Sequence, residues 1–239
     1  NMNRNKQTGF TLVEIAIVLV IIGLLLGGIL KGQELINSAR VRNLADMNSG
    51  IQAAYYGFID RYRHVAGDWL ATEATVAIGQ PINLPTAGAA NENNGRIDND
   101  LEEAAGAWEQ LSKAGFIQGA YDPLAAPADD SAYIAFAPIN AFNGAVTLTR
   151  NADYADPAAS DRLNLHLGIN IPVNISRELD VKVDDGRPLT GILRLSTPNA
   201  PWTNLHAVSA APVCTVTVGL VEEYNITEDA QDCGVAFLY

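Results

Sequence analysis

The chain has 239 residues, with 27 acidic side chains against 15 basic ones and a net charge of −12 at neutral pH. An acidic balance of this size argues against a main role in gripping nucleic acid or anionic lipid, both of which need basic patches. There is no G-x-S-x-G elbow, no H-E-x-x-H helix and no phosphate loop, and His64, His166 and His206 are scattered, so no catalytic constellation is visible.

Residues 1–9 hold Arg4 and Lys6 and no acid, a short basic leader expected to stay cytoplasmic. From Phe10 to Leu30 the only ionisable side chain is Glu14. A helix of that length rises about 30 Å, enough to cross a bilayer's hydrocarbon core. A carboxylate in such a helix costs about 2.5–3.5 kcal/mol at the bilayer centre and less toward the interface. Something must offset that cost, which makes Glu14 a functional candidate. An ordinary secretory signal would place a small-residue cleavage site after the apolar run; here Gly9 sits before it. A cut after Gly9 would give Phe10 a free ammonium group one helical turn from Glu14. A carboxylate there complements both the helix N-terminus and an α-ammonium, its own or a neighbour's.

Gly9-Phe10-Thr11-Leu12-Val13-Glu14, with the basic leader before it and the long apolar helix after it, resembles the processing and methylation site of type IV prepilins and type II secretion pseudopilins. The resemblance implies that a membrane peptidase cuts after Gly9 and that Phe10 is methylated. It also implies that Glu14 pairs with the N-terminal amine of the adjacent subunit. It covers residues 1–65 closely and the remainder loosely. It gives three segments: a leader at 1–9, a long helix at 10–65 whose residues 10–30 span the membrane and drive assembly, and a globular domain at 66–239.

Beyond Leu30, apolar residues recur at Leu35, Val41, Leu44, Met47, Ile51, Tyr55, Phe58 and Tyr62, one stripe of a helix. No proline falls between Met2 and Pro81, so one helix is expected from Thr11 to Arg63, about 80 Å long, bare in its first half and packed by a domain in its second. Gly23, Gly27, Gly28 and Gly32 each weaken helix by about 1 kcal/mol relative to alanine, and any loosened segment is expected near 27–32. Lys31, Arg40, Arg42, Arg61 and Arg63 read as a solvated or subunit-facing side, and Tyr55, Tyr56, Phe58, Tyr62 and Trp69 as packing between helix and sheet.

Residues 67–95, rich in Gly, Pro and Asn, read as connecting loop. Leu101–Ala114 is expected as a helix with Trp108 and Leu111 facing inward and a cap among residues 98–100. Strands are expected at Ser131–Phe136, Ala145–Thr149, Leu163–Ile169, Thr190–Leu195, Thr215–Leu220 and Val235–Tyr239. The third of these alternates Leu163, Leu165, Leu167 and Ile169 with Asn164, His166, Gly168 and Asn170, the pattern of a half-buried strand. Ile175–Val183 is expected as a helix capped by Asn174, followed by a turn at Asp184-Asp185-Gly186. The segment Asp180–Gly191 also resembles a stretch found in some pilin-like proteins before a sheet strand. A helix followed by an antiparallel sheet packed upon it gives an α+β domain of pilin type.

Residues 92–103 can be read in two ways. Alternate oxygen ligands, Gly95 and Ile97 fit a calcium loop with Asn94, Asp98 and Asp100 as ligands, but Ala90 and Leu101 stand where an EF-hand wants its first aspartate and last glutamate. The other reading is a solvated acidic connection that caps the next helix. Asp184 and Asp185 offer a weaker version of the same choice, and otherwise no cofactor is expected. Cys214 and Cys233 are the only cysteines; an exported domain enters an oxidising compartment, where they are expected to bond and close the 214–233 loop. Two cysteines with no histidine nearby lack the ligand count for zinc. C-terminal disulfide loops are also usual in type IV pilins.

These readings imply a non-enzymatic subunit of a type IV pilus, major or minor. The alternatives are a pseudopilin of type II secretion and a filament-borne adhesin or binding module; a signal-anchored periplasmic enzyme lacks motifs. The implied partners are further copies in a helical filament, other pilins or pseudopilins, prepilin peptidase, and inner-membrane lipid before assembly. The implied locations are the bacterial inner membrane with the domain in the periplasm, then an extracellular pilus or a periplasmic pseudopilus.

Overall fold

The computed structural model describes residues 11–88, 93–206 and 214–239. One helix, α1 (Leu12–Tyr62), runs unbroken through all four glycines at 23, 27, 28 and 32. Its residues up to Arg40 belong to one unit of the chain, and from Val41 onward they belong to a second unit that reaches Tyr239. In the first unit the side chains of residues 12–30 are exposed. Leu35, expected in the buried stripe, is exposed as well. In the second unit Val41, Leu44, Ile51, Tyr55 and Phe58 are buried, the i, i+3, i+4, i+7 spacing of a helix lying on a core. Phe58 packs edge-on against Trp69 and Phe116, and Tyr62 tilts against Phe58 and Trp69.

The 67–95 stretch is not all loop. It holds α2 (Ala71–Ile78), closed by Gly79 in the left-handed conformation with its N–H on the Thr75 carbonyl. Buried polar side chains of α3 (Leu101–Lys113) fasten this stretch down. Gln110 accepts from Gly67 N–H at 3.0 Å and donates to the Trp69 and Leu84 carbonyls at 2.6 and 2.9 Å. Glu109 accepts from Asn83 and Leu84 N–H at 2.9 and 3.0 Å and is paired with Lys113 at 2.7 Å. Gly67 sits at φ +91°, and a Cβ there would lie 2.4 Å from the Glu103 carbonyl oxygen, so only glycine permits the approach. As expected, α3 begins at Leu101, with the Asp100 side chain accepting from Glu103 N–H.

Ser131–Phe136 is helical rather than a strand: α4 (Asp130–Tyr133) leads into a 3-10 turn at Ile134–Phe136. Asp129 caps Ala132 N–H and starts the turn, and the Tyr133 hydroxyl receives Trp108 Nε1 at 2.6 Å and donates to the Val146 carbonyl. The sheet contains β1 (Thr147–Asn151), β2 (Arg162–His166), β3 (Leu193–Leu195) and β6 (Val235–Leu238) in the order β1-β2-β6-β3, every neighbouring pair antiparallel. β3 starts three residues later than expected because the Asp184 carboxylate takes the Ile192 and Leu193 N–H groups. Helix α5 (Val173–Val183) starts from Pro172 with no side-chain cap, so Asn174 lies inside its first turn rather than capping it. β4 (Thr215–Val218) and β5 (Val221–Tyr224) form a separate hairpin, with Gly219 at φ +70° opening a two-residue turn. The protein is therefore α+β: a long N-terminal helix followed by a globular region with antiparallel sheets.

Candidate functional site

At the N-terminal end, Thr11 and Glu14 form a capping box. Glu14 Oε2 accepts from both Thr11 N–H and Thr11 Oγ1 at 2.8 Å, and Glu14 N–H reaches back to Thr11 Oγ1 at 3.3 Å. The Thr-x-x-Glu spacing was present in the sequence and signalled this arrangement, which the reading of Glu14 as an assembly residue left out. The capping bonds to Thr11 use Oε2 alone, so they leave Oε1 able to receive a further donor. From Leu12 on, α1 has the length and composition to cross a membrane. Gly9 and Phe10, the expected cleavage and methylation pair, lie outside the described residues, as does the basic leader.

The acidic loop is built differently from an EF-hand. Asp100 is committed to the α3 N-terminus. Asp98 Oδ2 accepts from Asn94 Nδ2 at 2.7 Å, and Asp98 Oδ1 pairs with Arg96 Nε at 2.6 Å. Two residues not singled out by sequence complete the cluster. Asp68 accepts from Asn94 and Gly95 N–H at 2.8 and 2.7 Å, and Glu103 Oε2 accepts from Asp98 N–H at 2.5 Å. Desolvation, with the charges of Asp100, Asp98 and Asp68, pushes the Glu103 carboxyl up to about 8. Asp180, Asp184 and Asp185 bring carboxylate oxygens within 4.8 Å of one another. Each is already in use: Asp180 by Gly186 N–H and the Tyr224 hydroxyl, Asp184 by the start of β3, and Asp185 by Arg187 N–H and Thr190. Gly191 faces Asp184 so closely that a Cβ would overlap its carboxylate.

A disulfide joins Cys214 to Cys233, and the loop between them carries the β4–β5 hairpin. The Tyr224 hydroxyl, donating to Asp180 at 2.7 Å, pins that hairpin to α5.

Two of the scattered histidines meet. His166 and His206 stack with ring centroids 3.7 Å apart, both fully buried. His166 contacts Ser196 Oγ at 2.9 Å and Asn151 Oδ1 at 3.3 Å; His206 Nε2 contacts Thr147 Oγ1 at 3.0 Å, and its Nδ1 faces Asp153 Oδ2 at 3.7 Å. The polar face of β2, expected to meet solvent, is roofed by the 197–206 segment, which places Trp202 against Tyr133 and His206. Burial lowers both imidazoles, His166 to about 3, so both are neutral at ordinary pH. Ser196 is buried with them, and its hydroxyl faces the interior. His64, by contrast, stacks on Trp69 at 4.4 Å.

Residues 4–30 match the family model described as the prokaryotic N-terminal methylation motif. No curated protein and no solved structure matches the chain. A motif of this kind points to a structural protein rather than an enzyme, one anchored in a membrane before it assembles with its own kind. The chain thus carries, at residues 4–30, the N-terminal methylation motif that is the signature of type IV prepilins and pseudopilins.

Proposed function

We propose that this chain is a structural subunit of a type IV pilus, cut between Gly9 and Phe10, methylated on the new amine of Phe10 and polymerised through α1. The supporting observation is the exposed apolar stretch of residues 12–30, interrupted only by Glu14 and lying inside the matched motif. Before assembly the stretch rests in the inner membrane with the domain in the periplasm. In the extracellular filament, helix-on-helix burial replaces lipid contact and a neighbouring subunit's Phe10 ammonium neutralises Glu14. Glu14 Oε1 is the oxygen that receives it, since Oε2 is held by Thr11.

Mass spectrometry of the mature N-terminus after coexpression with a prepilin peptidase tests the processing step; N-methylphenylalanine at position 10 is expected. Glu14→Ala should insert into the membrane normally, since removing a charge only eases transfer into lipid, and should be excluded from filaments in competition with wild type. An intact leader on filament protein, or equal incorporation of the alanine variant, would overturn this reading.

A further inference from the structure

A groove of about 440 Å³ runs beside α1, with Asn43, Asp46, Met47, Gly50 and Ile51 on one wall and Phe116 and Tyr121 on the other. The α1 positions follow i, i+3, i+4, i+7, i+8, so they share one face of the helix. Asp46 is the one charged residue in the lining; it is exposed and has no ion pair among the described residues. Gly50 is exposed in mid-helix, and a Cβ there would meet nothing within 4 Å. Gly57 differs, since a Cβ there would lie 3.0 Å from the Phe116 ring, so packing inside the protomer favours glycine. Glycine weakens a helix relative to alanine, and among the described residues no close neighbour accounts for it at Gly50. Fifteen residues earlier α1 carries a second set with the same spacing: Gly28, Lys31, Gly32, Leu35 and Ile36. Leu35 and Ile36 are exposed, and a Cβ at Gly28 or Gly32 would again meet nothing. Side by side, the two sets place Lys31 against Asp46, Leu35 against Gly50 and Gly32 against Met47. A cation then faces the lone anion, and each large side chain faces a glycine, as a knob faces a hole.

We propose that the groove receives α1 residues 28–36 of a second copy, parallel to the first and displaced by fifteen residues, about 22 Å along the helix. This rests on the reading that the chain polymerises through α1, which orients all copies alike. The neighbour in the groove is not the one whose Phe10 meets Glu14, because that contact needs a displacement of only about one helical turn. Leu35 and Ile36 leave water against Met47, Ile51 and Phe116. Lys31 is already paired with Glu34 at 2.7 Å, but both side chains are two-thirds exposed, so turning the ammonium toward Asp46 gives up little. Every copy offers both the groove and the matching set, so the contact is head-to-tail and repeats without closing, as a helical filament requires.

The test is cysteine cross-linking of full chains in filaments sheared from the native host. Cells carrying one copy with Leu35→Cys and another with Gly50→Cys should yield a disulfide-linked dimer, and either variant alone should yield none. Moving the second cysteine to Tyr56→Cys, about 9 Å further along the helix, should lose the dimer. As the sole copy, Asp46→Lys should lower filament yield by about tenfold or more, because it sets two cations against each other. Its urea midpoint in micelles should not change, and adding Lys31→Glu to the same chain should restore the yield. Filaments that depend on Glu14 yet lack the dimer, or a double variant without recovery, would overturn the groove contact and leave the underlying reading standing. No filament from the wild type would overturn both. A Gly50→Cys adduct with a different protein would give the groove another occupant and overturn the proposal as well.

Discussion

Acid should unlock the sheet at the histidine pair, and the size of the effect follows from burial. His166 binds a proton at about pH 3 in the folded protein, against an ordinary value of 6.5. The unfolded chain therefore binds more protons throughout that interval, and stability falls as pH falls through it. At about 1.36 kcal/mol per unit, His166 alone removes about 3 kcal/mol between pH 6.5 and 4. His206 is lowered by the same burial and by its stacked partner, and it acts in the same direction. Among the described residues the groups facing the pair are Thr147 and Asn151 on β1, Ser196, Trp202 from the roofing segment, and the ionisable Asp153. Desolvation raises Asp153, which therefore opposes the trend. Glu103 and Asp180, raised to about 8 and about 6, also gain stability on acidification, but only until their unfolded counterparts protonate, from 4.5 for Glu103 and from 3.8 for Asp180. The net loss should thus be steepest below about pH 4. Urea denaturation of the full chain in micelles, run from pH 7 to pH 3.5 beside His166→Gln, isolates the imidazole. The two stability curves should converge as pH falls, by about 3 kcal/mol at pH 4. Parallel curves would refute the assignment of acid lability to this pair.

Loss of the disulfide in Cys214→Ala/Cys233→Ala should cost about 3 kcal/mol, the chain-entropy value for a loop of this length, read as a lower urea midpoint. Equal midpoints for the wild type with and without reductant would contradict it. Gln110→Leu should cost about 3 kcal/mol or more, because it orphans Gly67 N–H and the Trp69 and Leu84 carbonyls at about 1–3 kcal/mol for each buried group. A loss below about 1 kcal/mol in urea denaturation would show that water reaches those groups.

The elements that could be read from sequence are those whose signals are contiguous. The 51 residues of α1 follow from one uninterrupted period and the absence of proline. The α3 start follows from an acidic cap directly before an apolar stripe, β6 follows from a short apolar run, and β1 overlaps its expected run but lies two residues later, at Thr147–Asn151 rather than Ala145–Thr149. The errors have local physical causes. Ser131–Phe136 has strand-like composition, but Asp129 caps it into a turn and Tyr133 serves as a buried hydrogen-bonding post. Leu163–Ile169 alternates as a half-buried strand should, yet its polar face is covered too, because His206 stacks on His166 and Asn151 of β1 holds Asn164. Leu35 fits the stripe and remains exposed, since periodicity reports which face could be buried and not where the covering domain begins.

The candidate sites divide along the same line. Bilayer insertion imposes its demands on consecutive residues: about twenty apolar positions, a basic flank and a compensated charge. Gly9, Phe10 and Glu14 therefore stand out in a single stretch, even the capping box with Thr11. The polar interior of the domain obeys no such rule of adjacency. Asn99 gathers Trp202 Nε1 and Asn151 Nδ2 on one oxygen, joining residues 103 and 52 positions away. Glu103 Oε1 lacks a hydrogen-bond partner, and a missing partner leaves no trace in a sequence. A glutamate three residues past a helix cap looks like any solvated first-turn acid until the folded chain buries it. Buried polar groups are costly unless satisfied, so their positions are fixed by long-range closure of the fold, and only the closed fold shows which of them remain unsatisfied.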